Sequence, residues 1–318
     1  MIRRFCVALA AVIAIVCAHP VKAATLQGYV IDCGSDDPDI AVKACTAVIN
    51  SGIAGPEGLA QVYYNRGLAY EDKGQYDLAI ADFTRVIAYT PKNADGYAGR
   101  ADAHQGKKEY DLAIADYSKA IELDPRDALA YANRGGTYDQ IGEYDLAIAD
   151  ENTAISITPG LAEAYVNRSA AHRHKGENDL ALADISTAIG LEPSLAEAYQ
   201  SRAELYRDKG DYDLAIADYS RAIDLKPRYA AAYIGRGNAY DDKGQSDLAI
   251  ADYSKAIEYA PDSPDGYFSR ATTYWHSGNP AAAVTDLKMV LKLDPSLTYA
   301  QTMLDLCQKE ADAKAAHP

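Results

Sequence analysis

Seven prolines, Pro91, Pro125, Pro159, Pro193, Pro227, Pro261 and Pro295, stand 34 residues apart without one insertion between them. A period of that length, held over most of a chain, makes each period one supersecondary unit that leans on its neighbours. The phrase ending at each proline is nearly constant: YDLAIADYSKAIELDP at 110–125 returns as YDLAIADYSRAIDLKP at 212–227. Within it Ala79, Ile80, Phe83, Ile87 and their equivalents recur at helical spacing and give one apolar face. Upstream, YYNRGLAYEDKG (63–74) and YANRGGTYDQIG (131–142) read as a first helix stopped by glycine. Gly74, Gly142, Gly176, Gly210, Gly244 and Gly278 hold that stop, where left-handed backbone favours glycine. The second period has Lys108 there, with Gly106 two residues earlier. Small residues where the helices cross, Gly67 with Ala79 and Gly135 with Ala147, let the backbones approach. Helices this short cannot bury their remaining apolar face as a lone pair, so pairs must stack.

These residues resemble the tetratricopeptide repeat. Tyr63, Gly67, Tyr70, Ala79, Phe83 and Pro91 fill its pattern in the first copy, and Tyr131, Gly135, Tyr138, Ala147 and Pro159 fill it in the third. The resemblance implies an all-α fold, a right-handed α-solenoid of seven helix-turn-helix repeats with capping helices at both ends. The expected repeats are 60–93, 94–127, 128–161, 162–195, 196–229, 230–263 and 264–297. Residues 24–59 are read as an N-terminal cap whose orphan helix DPDIAVKACTAVINSG (37–52) starts on Asp37 and Pro38. Residues 298–318 are read as a C-terminal capping helix and tail, with Ala300, Met303, Leu304 and Cys307 as its apolar stripe.

Residues 1–23 read as an export signal: Arg3 and Arg4, fourteen apolar residues from Phe5 to Ala18, then a small-residue cleavage site. A span needs about 20 apolar residues, so stable membrane insertion after cleavage is not expected. Loss of Arg3, Arg4 and Lys22 takes the net charge from −15 to −18. The mature protein is then expected to be periplasmic or secreted. Cys6 and Cys17 leave with the signal, and in an oxidising compartment Cys33 and Cys45 form the natural disulfide. Cys307 is left as a small buried residue. No CxxC or partnered His spacing suggests a metal site.

Every copy has an arginine on its first helix, Arg66, Arg100, Arg134, Arg168, Arg202, Arg236 and Arg270. Every copy also has an aspartate on its second, Asp82, Asp116, Asp150, Asp184, Asp218, Asp252 and Asp286. One reading is a row of cations for anionic ligands. The preferred reading is a repeated, partly buried ion pair that fixes helix geometry, its partner in the same or the next repeat left open by the sequence.

No GxSxG, HExxH, phosphate loop, dinucleotide fingerprint or calcium loop occurs, so neither catalysis nor a cofactor is expected. The acidic balance disfavours nucleic acid, whose phosphates need clustered Lys and Arg. The resemblance places ligand contacts on the exposed face of each first helix. Those positions carry Glu71, Asp72, Asp95, Asp102, Asp139, Glu163, Glu197, Glu204, Asp208, Asp241, Asp242 and Asp265, answered by Arg173, Arg207, His174 and His276. Twelve acids on one face would attract cations, which points to a basic or neutral peptide or protein partner. Tyr64 shares this face, and Trp275, the lone tryptophan, is its candidate stacking contact, with end-of-array packing as the alternative. The carboxylate grip of co-chaperone members is not expected, because Tyr64, Ala98 and Glu163 stand where it needs cations. The expected function is therefore a non-catalytic interaction scaffold in the cell envelope. A self-associating envelope component, or a binder of a small molecule or glycan through groove aromatics, is the alternative. Glu151 takes a core aromatic position; it is expected to swing outward or to meet Arg134 or His172, or else to form a polar notch. His104 and His172 replace tyrosines and are read as core packing.

Overall fold

The computed structural model describes residues 28–316. The expected signal peptide, with Cys6 and Cys17, lies outside the described residues. Among these residues the chain is helical throughout and contains no strand. The helices are α1 (Pro38–Ser51), α2 (Pro56–Asp72), α3 (Tyr76–Tyr89), α4 (Ala94–Gly106), α5 (Tyr110–Leu123), α6 (Ala128–Gln140), α7 (Tyr144–Ile157) and α8 (Ala162–His174). They continue as α9 (Asn178–Leu191), α10 (Ala196–Asp208), α11 (Tyr212–Leu225), α12 (Ala230–Asp242), α13 (Ser246–Tyr259), α14 (Pro264–His276), α15 (Pro280–Leu293) and α16 (Thr298–Ala316). Contacts divide the chain into two compact units, one ending at Ala171 and one starting at His172.

Each unit is an all-α solenoid stack of helix hairpins. In the first, α2 packs on α3, α4 on α5 and α6 on α7, and each hairpin packs on the next. The first helices also touch one another, α2 with α4 and α4 with α6, so they form a layer of their own. The second unit repeats the scheme with α10–α11, α12–α13 and α14–α15, and with α10 touching α12 and α12 touching α14. No helix among the described residues is long and apolar enough to cross a membrane.

In six of the seven repeats one aromatic or branched side chain of the second helix fills the space between hairpin layers: Phe83, Tyr117, Ile185, Tyr219, Tyr253 and Leu287 are fully buried. Gly67 makes room for this, since a Cβ there would come within 2.9 Å of the Phe83 ring. The turn between first and second helix needs a left-handed residue, and Gly74, Gly142, Gly176, Gly210, Gly244 and Gly278 supply it at φ between 66° and 83°. Lys108 adopts the same conformation at φ 61°, the lone non-glycine to do so among the described residues. A side chain costs about 1–2 kcal/mol there.

At the start, the Asp37 carboxylate accepts from the N–H groups of Asp39 and Ile40 at 2.9 and 3.3 Å, with Pro38 in the first turn. Cys33 and Cys45 are disulfide-bonded and tie the preceding segment to α1. Val30, Cys45, Val48 and Val62 form the small core under this cap. At the other end α16 covers the last hairpin, packing Ala300, Met303, Leu304 and the buried thiol of Cys307 against Ala271, Leu287 and Val290.

Candidate functional site

The arginines come first, because their placement decides what remains for a ligand. Arg66, Arg100, Arg134, Arg202, Arg236 and Arg270 each donate Nε and Nη2 to both oxygens of the aspartate sixteen residues on, at 2.7–2.9 Å. Each of these ion pairs joins the two helices of one repeat. The partnering aspartates of Arg66, Arg134, Arg202, Arg236 and Arg270 are buried. The remaining nitrogen, Nη1, reaches back to the preceding second helix: to Thr46, Thr84, Ser118, Ser186, Ser220 and Ser254. Arg168 makes the same backward bond to Asn152 at 2.6 Å. These backward acceptors went unread in the sequence, though a Ser, Thr or Asn recurs two residues after every one of these aspartates except Asp286, where Lys288 stands. Tyrosine rings, such as Tyr131 at 5.7 Å from the Arg134 guanidinium, cover the other face. The bidentate bond to the aspartate raises the pKa of these guanidinium groups, against a smaller opposing effect of burial.

The face of the first helices differs between the units. In the second, the expected wall of acids is largely neutralised, which corrects the sequence reading. Arg173 pairs with Glu204 and, at 3.3 Å, with Asp208; Arg207 lies 3.8 Å from Asp242; Lys226 holds Glu197 at 3.0 Å. The physical reason is reach: Arg173 and Arg207 each extend to an acid on the first helix of the next repeat. Asp241 accepts weakly from Ser246, and Asp265 sits exposed at the start of α14 beside Ser263. His174 and His276 are exposed. Trp275 is engaged from within, its indole N–H donating to Glu310 of α16 at 2.9 Å and its ring stacked on His276. End packing therefore describes it better than a free stacking contact.

In the first unit, Asp72, Asp95 and Glu163 are exposed, whereas Glu71, Asp102 and Asp139 are half-buried. Tyr64 packs edge-on against Phe83 with ring centres 5.7 Å apart. Asp102 accepts from the hydroxyl of Tyr117 and from the amide of Asn133, so it is tied into the hairpin. Two of the three buried tyrosines thus share a pairing that sequence reading missed: the hydroxyl reaches the first-helix residue fifteen positions earlier. Tyr253 obeys it with Asn238 at 2.9 Å. Phe83, with no hydroxyl, packs against Leu68 at that offset. Tyr219 meets Glu204 at the same offset, but Arg173 and Gln200 occupy that carboxylate, and the Tyr219 hydroxyl is left without a hydrogen bond.

Glu151 departs from this pairing. It replaces the tyrosine, and Gly136 stands fifteen residues before it. Contrary to expectation it neither swings outward nor meets Arg134, which is committed to Asp150. Its side chain is fully buried and neither carboxyl oxygen has a hydrogen bond. Burial pushes this carboxyl up to about 9; the nearby Asn167 amide opposes, Glu163 and Asp150 add to the rise, and Arg168 opposes again. The Asn167 amide is itself directed to the Ala132 carbonyl at 3.3 Å. His172 is mostly buried and bonded to Glu177 at 2.6 Å, as His104 is to Glu109 at 2.7 Å. These histidines brace the turn rather than simply fill core.

Beside Glu151 the first-helix layer opens into a polar cleft of about 400 Å³. Its walls include Gln105 of α4, Asn133, Gly136 and Gln140 of α6, and Glu163 and Asn167 of α8. Four carboxamides converge there, each able to donate and to accept.

Models of the tetratricopeptide repeat match residues 64–128 and 99–162, and again 264–297; a model described as TPR repeat matches 203–244 and 237–278. Together they take in more than half of the chain. No curated protein matches the sequence significantly. Among solved structures, one chain of the APC/C hetero-tetramer Cut9-Hcn1 superposes with a TM-score of 0.66 at 19% identity, over 90% of this chain and 54% of that one. This chain thus spans about half the length of that relative. The type IV pilus biogenesis factor PilW gives 0.62 at 20% identity, over 66% of this chain and 98% of that one. A tetratricopeptide repeat protein from Parabacteroides merdae gives 0.61 at 19%, over 79% and 99%. At such identities the likeness is one of fold.

Proposed function

Because this chain belongs to the tetratricopeptide-repeat family, we propose that it is a non-catalytic protein-interaction scaffold whose first-helix faces hold a basic or neutral peptide or protein segment. The polar cleft of the first unit carries this reading. Its amides match the alternating N–H and C=O of an extended segment, and Asp95 and Glu163 are exposed on the same layer for a basic side chain. The neutralised second unit contributes less charge to this attraction. We place the protein outside the cytoplasm, in the periplasm or secreted, a reading supported by the leader-like N-terminus and by the Cys33–Cys45 bridge.

The test is binding of Lys-rich, neutral and Glu-rich peptide pools by fluorescence anisotropy at low and high salt. Preference for the Lys-rich and neutral pools, with the Lys-rich signal weakening as salt rises, is the expected outcome. Equal binding of all three at low salt removes the proposal.

A further inference from the structure

Exchange of a tyrosine for Glu151, together with Gly136 at the groove end of its reach, does two things at once. It removes the ring that fills this layer in other repeats, and it leaves a buried carboxyl behind the vacated space. Glu151 Oε1 lies 2.7 Å from where a Cβ on Gly135 would stand. Gly136, the next residue, and Asn167, the amide close enough to weigh on the carboxyl's charge, are both walls of the cleft. A Cβ on Gly136 would meet nothing nearer than the Asn167 amide at 3.5 Å, and the Glu151 oxygens are closed to solvent, so a ligand reaches them only where the Asn167 side chain gives way. Native structures rarely leave a buried carboxyl with no partner at all.

We propose that the cleft is a pocket for a primary ammonium group, the side chain of a partner's lysine, which enters past Asn167 and binds the Glu151 carboxylate. This rests on the scaffold reading and names the side chain that the first unit selects. Three features favour an ammonium. Glu163, a second carboxylate on the cleft wall, adds attraction for a cation and offsets the repulsion of Lys108, which lines the same cleft and is exposed to solvent. The carboxamide oxygens of Gln105, Asn133 and Gln140 accept the hydrogens that one carboxylate cannot. An ammonium spends its three hydrogens singly, one on the carboxylate and the others on these carboxamides, whereas a guanidinium would need both carboxylate oxygens in its own plane.

Charge balance gives the proposal a signature. In the free protein burial keeps Glu151 protonated at neutral pH; Asp150 on its own helix and Glu163 on α8 favour this state, and Arg168 on α8 opposes it. Binding of the ammonium makes Glu151 a carboxylate, and its proton leaves to solvent. Uptake of one lysine therefore releases about one proton at pH 7.

The experiment is titration calorimetry of an acetylated, amidated pentapeptide with one central lysine, run in two buffers of different ionisation enthalpy. Its norleucine analogue is run beside it. The expected result is release of close to one proton, and affinity at least about tenfold above norleucine, the loss typical of one charged partner. Glu151→Gln should abolish the proton release and lower the affinity to the norleucine level. Glu151→Tyr, which restores the residue of other repeats, should close the pocket while keeping the helical circular dichroism. Equal binding of the two peptides, binding without proton release, or an unchanged Glu151→Gln overturns the proposal. If longer basic segments still bind Glu151→Gln as they bind the wild type, the pocket falls and the scaffold reading stands.

Discussion

At Arg134 the guanidinium spends all three of its nitrogens on protein acceptors, two on Asp150 and one on Ser118 of the preceding helix. Arg134→Ala would leave Asp150 buried and unpaired, and should destabilise the protein by about 3 kcal/mol in urea unfolding, the lower range for a broken buried pair. A row of exposed anion-binding arginines would have given no such loss. Glu151 behaves oppositely. Its pKa is near 4.5 in the unfolded chain and about 9 when folded, so between those values the folded state holds a proton that the unfolded state lacks. Stability is thus greatest below pH 4.5 for this group and falls as pH rises toward 9, with a slope of up to about 1.4 kcal/mol per unit. Glu151→Gln should flatten that slope in melts taken from pH 5 to 9. The sequence displayed both groups, yet it named partners for only one. The Arg and Asp recur in step sevenfold, so a pairing was legible. The lone Glu has no counterpart in other repeats to show which way it turns.

Among the elements, the turn between α4 and α5 is the weak copy. Lys108 stands in the left-handed conformation that glycine occupies in the other inner turns. Lys108→Gly should raise stability by about 1 kcal/mol, relief of side-chain strain outweighing the extra freedom of the unfolded glycine. Gly142→Ala should lower it by a similar amount, both read from chemical unfolding midpoints. The cap on α2 offers a third measurement. The bridge between Cys33 and Cys45 closes a loop of 12 residues, and Cys33→Ser should cost about 3 kcal/mol by loop entropy. Helix positions and turns were legible because each is marked by local chemistry, a proline or a glycine at constant spacing. The groove's charge was not. Whether Glu204 faces solvent or Arg173 depends on a residue 31 positions away, and no local pattern records that distance.

For the whole molecule, the constant period, the helical spacing within it and the family resemblance those residues carry made the fold class legible. What the repeats select as ligands depends on where they differ. The Tyr and acceptor fifteen residues apart, the Phe with Leu68, and Glu151 with Gly136 mark individual hairpins whose remaining text is nearly interchangeable. Residues 110–125 and 212–227 are close enough to trade places in a chain that is still assembling. A second helix that docks on the wrong first helix would put a tyrosine hydroxyl against Leu68, or a ring edge without a hydroxyl against Asp102. If the offset pairs sort the hairpins, matched exchange of both members between two repeats should spare refolding yield where exchange of one member does not; equal yields from both exchanges would remove that role.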